Sequence, residues 1–308
     1  MGKLLLYLLS LLLGTGLVAG LVLGPVLQRA DVDAFYTRFT TPPAGSLVLG
    51  TSRAAQAVQP AVLQAQLGGR YAGPWLNYAF TLAESPYGPA YVRSIQRKLA
   101  ADTRRGLFVV AVDPWALSLA GPGQAGEAVV FPEDQGMVGQ LHLVNQNPNL
   151  EYLGRFLHRP LYQLLRPDTA SVQHLHADGW LEIALPSPAE DTALLHQRTA
   201  NKLATYRPLA AGSHLSAARL ASLRQLVALL KLHGQVVLVR LPTGPEMAAL
   251  EAHYQPRFDD LMAQTSANLG VPYLNYIHQS YPTNDGNHLW SGAAHRFSEQ
   301  LAADISQL

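Results

Sequence analysis

The sequence predicts an α/β protein of three layers, with a parallel sheet of five strands between helices and one membrane-spanning helix before it. Short apolar runs that do not alternate, such as Leu47–Leu49 and Leu107–Val112, are typical of strands covered on both faces. Amphipathic stretches separate these runs at the spacing of β-α-β units. An uncharged stretch, Leu4–Leu27, stands near the amino terminus.

The predicted strands and helices alternate along the chain except across one long interruption. We assign 1–28 to a membrane anchor, 29–45 to a linker stiffened by Pro42-Pro43, and 46–308 to the α/β domain. The expected strands are 47–49, 75–80, 107–112, 236–239 and 271–276, and the expected helices are 60–67, 86–102, 217–233, 245–269 and 291–305.

Residues 118–213 interrupt this alternation and are rich in Gly, Pro, Asn and His. We interpret them as an insertion over the carboxyl edge of the sheet, with helical stretches near 150–165 and 190–206. Such an insertion either shapes a substrate pocket or serves only as a stabilising flap.

The stretch Leu4–Leu27 is longer than the roughly 20 apolar residues that a helix needs to cross a bilayer. A cleavable signal peptide has an apolar core of about 7–15 residues and a small-x-small cleavage site. The match at Val18-Ala19-Gly20 is poor, so we favour an uncleaved single-pass anchor. Lys3 precedes the span, which favours a cytoplasmic start and a body outside the cytoplasm.

Three glycines of the span, Gly16, Gly20 and Gly24, recur every fourth residue and share one helix face. Small residues at this spacing allow two membrane helices to approach closely, which suggests a helix–helix dimer. The alternative is that glycine is simply common in membrane helices.

Composition excludes several classes of function. Lys and Arg number 22 against 21 Asp and Glu, so there is no basic excess for nucleic acid. The chain has no cysteine, and hence neither a disulfide nor a cysteine for lipid attachment. His174 and His176 have a spacing seen in metal sites but no third ligand nearby. We therefore predict no metal and no cofactor.

A serine and an Asp-x-x-His pair follow predicted strands at opposite ends of the chain. Ser52 comes directly after the first strand, and Asp285 and His288 precede the last helix. Carboxyl ends of parallel strands meet at one edge, where ligands bind in open α/β sheets. A serine hydroxyl needs a base, and the base needs an orienting group, so the three residues form a candidate catalytic triad.

These residues resemble the blocks of the SGNH or GDSL hydrolases. The resemblance rests on Gly50-Thr51-Ser52, on Asn77-x-Ala79 after the second strand, and on Asp285-Gly286-Asn287-His288-Leu289. It covers 46–308 apart from the insertion and implies a flavodoxin-like sheet. It also implies that Ser52 is the nucleophile, His288 the base and Asp285 its orienter, with the Ser52 and Ala79 amides as oxyanion donors.

The chain departs from the family pattern at three positions. Thr51 stands where the family usually has Asp, Ala79 where it has Gly, and Asp113 where it has an asparagine whose side chain donates to the oxyanion. Arg53, Arg240 and Asp113 all follow strands at the same edge, and we consider them candidate substrate contacts. For the two arginines the alternative is a salt bridge to Asp113 or to the insertion.

The sequence thus predicts a membrane-anchored esterase whose substrate is an acyl ester of an envelope glycan or lipid. Acyl transfer to a surface polysaccharide uses the same triad and remains an alternative, since anchored proteins of similar layout carry out teichoic acid D-alanylation and alginate acetylation. A non-catalytic envelope scaffold or binding protein with the same fold is the second alternative.

Overall fold

A computed structural model describes residues 2–28, 32–121, 129–158 and 171–308 of the chain. The strands in chain order are β1 Ser46–Leu49, β2 Trp75–Asn77, β3 Gly106–Ala111, β4 Ser118–Ala120, β5 Gln173–Leu175, β6 Leu181–Ile183, β7 Ser213–Leu215, β8 Gly234–Arg240 and β9 Tyr273–Asn275. The helices are α1 Gly2–Gln28, α2 Tyr36–Thr40, α3 Ser52–Ala57, α4 Pro60–Leu67, α5 Pro89–Lys98, α6 Met137–Gln140, α7 Leu150–Phe156, α8 Thr192–Gly212, α9 Ala217–Lys231, α10 Pro245–Tyr254, α11 Phe258–Leu269 and α12 Ser291–Ser306.

Five of these strands form the central sheet, in the order β2-β1-β3-β8-β9, and every neighbouring pair is parallel. If only the five strands of this sheet are numbered in chain order, β8 and β9 become strands 4 and 5, and the order is the 2-1-3-4-5 of flavodoxin-like folds. The parallel five-stranded sheet expected from the sequence is confirmed. All carboxyl ends therefore lie at one edge.

Apolar side chains cover both faces of the sheet, because successive residues of a strand point to opposite sides. Phe108 and Val110 of β3 belong to one core cluster, with residues of α5, α9 and α11. Leu107 and Val109 belong to the other, with residues of α3, α4 and α12. Burial on both sides explains why the strands are continuous apolar runs.

Residues 32–45 pack into the body, which corrects the expectation of a separate linker. Tyr36 and Phe39 belong to the core cluster, and the Arg38 side chain is fully buried. The Arg38 guanidinium donates to the carbonyls of Asn77 at 3.0 Å and Gly179 at 2.6 Å. This segment is therefore fixed to the sheet and to the insertion.

The helix expected at 245–269 is two helices, α10 and α11, separated at Gln255-Pro256. Proline has no N–H for an α-helical hydrogen bond and disfavours the helical conformation of the residue before it. Gln255 accordingly has φ −136° and ψ 75°. The separation matters because α10 carries Glu251, a buried glutamate that contacts Arg53, the residue after Ser52.

The insertion leaves and rejoins the body through a short antiparallel ribbon. Ser118 of β4 pairs with Leu215 of β7, and Ala120 pairs with Ser213. Between them, β5 and β6 form a hairpin and α8 runs to Gly212, beyond the expected end at 206. The helix expected near 150–165 is shorter: α7 ends at Phe156, because Leu157 is extended with φ −76° and ψ 96°. Residues 159–170 lie outside the described residues.

One helix among the described residues, α1, is long and apolar enough to span a membrane, over Gly2–Leu21. None of that stretch is buried against the body. A side chain added at Gly16, Gly20 or Gly24 would meet no atom within 4 Å. Among the described residues nothing packs against the glycine face of this helix, and a dimer through it stays a prediction.

Candidate active site

Ser52 lies at the carboxyl end of β1, as the first residue of α3. The turn before it depends on Gly50, whose φ of +141° is a conformation that side-chain-bearing residues rarely adopt. A Cβ at Gly50 would also lie 2.9 Å from Ala111 Cβ of β3. The Gly50 N–H donates to Tyr91 Oη at 3.1 Å. These constraints hold the serine at the edge of the sheet, where it is partly exposed.

His288 connects Ser52 to Asp285. Its Nε2 lies 2.8 Å from Ser52 Oγ. Its Nδ1 lies 2.9 Å from Asp285 Oδ2 and 3.1 Å from Oδ1. An ionised carboxylate only accepts hydrogen bonds, so the network places the proton on Nδ1 and leaves Nε2 to accept from the serine. The structure therefore brings the three predicted triad residues into one hydrogen-bonded chain.

Backbone N–H groups of the turn that carries His288 donate hydrogen bonds to the Asp285 side chain. Asp285 Oδ1 accepts from the N–H of Asn287 at 3.0 Å and of His288 at 2.9 Å. Gly286 has φ +75°, and a Cβ there would lie 2.7 Å from Thr199 Cγ2 of α8. A glycine at this position lets the insertion pack directly against the turn.

Lys202 of α8 contributes a positive charge to the triad. Its Nζ lies 3.1 Å from Asp285 Oδ2. Burial alone raises the pKa of Asp285, but its interaction and hydrogen bonds with His288, together with the positive charge of Lys202, outweigh burial and hold that pKa well below its ordinary value. The carboxylate therefore stays ionised at neutral pH. Sequence reasoning missed Lys202 because it lies in the insertion.

The expected oxyanion donor at Ala79 is already engaged. The Ala79 N–H donates to Asn77 Oδ1 at 3.1 Å. The same asparagine donates through Nδ2 to the carbonyls of Ala54 at 2.8 Å and Val58 at 2.9 Å, so its side chain is locked. We therefore withdraw Ala79 from the oxyanion site. The Ser52 N–H remains a candidate, since the first residue of a helix has no intrahelical acceptor for its N–H.

Asp113 does not replace the asparagine that the family uses as a donor. It is buried, and its two oxygens face protein donors, the Ala116 N–H at 2.8 Å and the Thr51 hydroxyl at 3.4 Å. Burial raises the pKa of Asp113, and the positive charge of Arg53 offsets part of that effect. Its contacts hold the turn before Ser52, so we no longer assign substrate binding to it.

Arg53 and Arg240 both face a buried glutamate instead of the open side of the site. Glu251 of α10 is fully buried and lies 2.5 Å from Arg53 Nη2 and 3.1 Å from Arg240 Nη2. It also accepts from Trp115 Nε1 at 2.6 Å. Asp259 completes the pairing of Arg240. The structure favours the salt-bridge alternative, with Glu251 as the partner instead of Asp113 or the insertion.

Asn287 is a buried amide beside the base that sequence reasoning did not single out. Arg53 donates to its Oδ1 from Nε at 2.9 Å and from Nη2 at 2.6 Å. Since a guanidinium only donates, the other end of the amide must be the NH₂ group. That Nδ2 lies 3.3 Å from His288 Nε2 and 3.5 Å from Tyr206 Oη. A side-chain donor is thus held next to His288 Nε2, the atom that also contacts the Ser52 hydroxyl.

A cleft of about 410 Å³ opens beside His288 and Asp285. One wall is apolar and comes from the β5–β6 hairpin and its flanks; it consists of Val172, Ile183 and Leu185. Polar side chains of α8 also line the cleft; they are Arg198, Asn201, Lys202 and Thr205. The insertion therefore supplies most of the lining of the cleft, and Gln56 and Asn284 from outside it complete the lining next to Asp285 and His288.

Within the described ranges, no group of three or more His, Cys, Asp or Glu side chains could hold a metal ion. His176 pairs with Glu182 at 2.9 Å and packs against the Trp180 ring.

No family model, no curated protein and no solved structure matches this chain.

Proposed function

We propose that this chain is a membrane-anchored serine esterase of the SGNH type. The observation that carries the proposal is the hydrogen-bonded chain from Ser52 Oγ through His288 to Asp285, with contacts of 2.8 and 2.9 Å. Two features already described add support. The serine is partly exposed at the carboxyl edge of a parallel sheet, where ligands bind, and a cleft adjoins the base.

In the acylation step, Ser52 Oγ attacks the carbonyl carbon of the ester and its proton passes to His288 Nε2. The imidazolium that forms is stabilised by Asp285, whose low pKa keeps it negatively charged. His288 then gives the proton to the alkoxide as the carbon–oxygen bond breaks, and the alcohol leaves. An acyl group remains on Ser52.

The oxyanion is stabilised by the Ser52 N–H and by Asn287 Nδ2. In the resting site, Nδ2 lies close to His288 Nε2, which has one lone pair and also accepts from the serine. When Nε2 takes the serine proton, it stops being an acceptor. The same proton transfer that creates the oxyanion therefore frees Nδ2 to donate to it. Removing one such donor typically costs about 100–1,000-fold in rate.

In deacylation, water donates its proton to His288 Nε2 and attacks the acyl carbon, and Ser52 leaves with the proton that His288 returns. A sugar hydroxyl can take the place of the water, which gives acyl transfer with the same residues. The α1 helix, with Lys3 ahead of its uncharged stretch, supports a single-pass anchor with the body outside the cytoplasm. The substrate is then an acyl ester of the cell envelope.

A non-catalytic scaffold is the competing proposal, and one observation favours it: the Ala79 amide and the Asp113 side chain are both engaged within the protein. Labelling of the full-length protein with a fluorophosphonate probe separates the two. The esterase proposal expects labelling of the wild type and of Ser187→Ala, a partly exposed serine that lines the cavity next to the cleft, and none of Ser52→Ala. Absence of label on folded wild type supports the scaffold.

A further inference from the structure

Arg198 stands without an ionic partner in the cleft beside the triad. Its side chain is partly buried and lines the cleft together with Lys202, Asp285 and His288. Within the described part of the chain, no carboxylate lies within 4.0 Å of its guanidinium and no hydrogen bond holds it. This arginine differs from Arg53, Arg219 and Arg240, which are all paired with buried carboxylates.

The charge of the cleft is positive at the end where Arg198 lies. Among the lining residues, the only carboxylate is Asp285, and it is already paired with His288 and Lys202. Asp191 lines the smaller neighbouring cavity with Arg198, but its Oδ1 accepts the Leu194 N–H as the cap of α8. Among the described residues, Arg198 is therefore a cation in a partly enclosed space that no carboxylate pairs with directly, although the Asp191 charge lies in the same region.

Arg198 lies on the same helix as Lys202, the residue that contacts Asp285. It precedes Lys202 by four residues on α8, so the two side chains are neighbours on one face, with Cβ atoms about 5–6 Å apart. Lys202 contacts Asp285, whereas Arg198 makes no hydrogen bond or ion pair with Ser52, Asp285 or His288. An anion bound there would be several bonds away from the ester that Ser52 attacks.

We propose that Arg198 binds a phosphate or carboxylate group of the substrate, so that the enzyme prefers esters whose alcohol carries an anionic group several bonds from the ester oxygen. This inference rests on the proposed esterase function and names its substrate class. A guanidinium donates two parallel hydrogen bonds to either anion, which a neutral substrate does not accept equally well. The apolar wall of Val172, Ile183 and Leu185 packs against the carbon skeleton between the two groups.

The test compares matched esters on the full-length protein in a non-ionic detergent. 4-Carboxyphenyl acetate and 4-carbamoylphenyl acetate match closely in size and shape and differ in the charge of the para substituent, and 4-acetoxyphenyl phosphate supplies the phosphate arm; each kcat/KM is divided by the rate constant of that ester with hydroxide, which corrects for the different acidity of the leaving phenols. We expect kcat/KM to be higher for the anionic esters, and Arg198→Gln to lower the ratio of anionic to neutral kcat/KM about tenfold. The anionic ester with the higher kcat/KM shows whether the recognised group is a carboxylate or a phosphate.

Arg207→Gln is the matched control, since Arg207 is an exposed arginine of the same helix, nine residues on and about two and a half turns away. It should leave the ratio unchanged. A ratio near one in the wild type, or a ratio that Arg198→Gln does not change, overturns the inference while turnover itself supports the esterase.

Binding to the Ser52→Ala protein separates the two proposals if no ester is hydrolysed. Calorimetric titration should show tighter binding of 4-carboxyphenyl acetate than of its carboxamide, and adding Arg198→Gln should remove the difference. That result with no turnover by wild type overturns the esterase and supports the anion site. Equal binding of the two esters, or binding of neither, overturns the anion site.

Discussion

The Arg53 guanidinium donates two hydrogen bonds to the side-chain oxygen of Asn287, at 2.9 and 2.6 Å. Arg53 follows Ser52, the proposed nucleophile, and Asn287 precedes His288, the proposed base. The contact therefore joins the two turns that must meet for a proton to pass between Ser52 and His288. It also fixes which end of the Asn287 amide faces the reaction.

Asn287→Ala should lower kcat for ester hydrolysis about 100-fold or more, with little change in KM, because a donor to the oxyanion acts in the transition state. Steady-state kinetics on a soluble acetyl ester measures this. Thermal unfolding of the same variant checks that the fold persists. A loss carried entirely by KM, or a kcat within threefold of wild type, contradicts the role of Asn287.

Glu251→Gln should strongly destabilise the protein. Glu251 is fully buried between Arg53 and Arg240, and removing its charge leaves two buried guanidinium groups with less compensation. Removing one partner of a buried ion pair typically costs about 3–5 kcal/mol. Denaturant unfolding measures the loss.

Glu299→Gln is the control for Glu251, because Glu299 pairs with His295 on the exposed face of α12. Pairs at the surface contribute little. An equal loss of stability in the two variants contradicts the picture of a buried network that supports the site.

Asp285 should stabilise the fold at neutral pH and lose that contribution in acid. Burial opposes its charge, but the attraction of His288 and Lys202 lowers its pKa in the folded state. A group whose pKa is lowered by folding contributes stability above its unfolded pKa, about 3.9, and loses it as pH falls toward the folded value. The difference in unfolding free energy between wild type and Asp285→Asn should thus shrink below about pH 4. A difference that stays constant from pH 7 to pH 3 contradicts this.

The sheet and the placement of Ser52 and His288 could be predicted because both depend on local patterns. A buried strand followed by Gly50 puts a serine at the carboxyl edge, and the turn before α12 reaches the same edge by topology alone. No long-range packing detail was needed to bring these residues to one side of the sheet.

The engagement of the Ala79 amide was missed although a local signal existed. Asparagine side chains often accept the backbone N–H two residues on, and Asn77-x-Ala79 has that spacing. The break before α11 likewise had a signal in Pro256. In both cases a single side chain, Asn77 or Pro256, changes the local backbone hydrogen bonding within an otherwise regular strand or helix pattern.

The contacts of Lys202, Glu251 and Asn287 could not be predicted. Lys202 reaches Asp285 from an insertion without a regular pattern, and Glu251 lies within a helix whose orientation only the packed structure defines. The direction of the Asn287 amide depends on Arg53, which is 234 positions away in the chain.

The most direct test of the account is the rate at which a fluorophosphonate modifies the full-length protein, with the modified residue mapped by mass spectrometry. We expect the adduct on Ser52 and a rate that falls about 100–10,000-fold in His288→Ala, the usual contribution of a general base. A wild-type protein that reacts no faster than His288→Ala, or that carries its adduct on another serine, contradicts the triad.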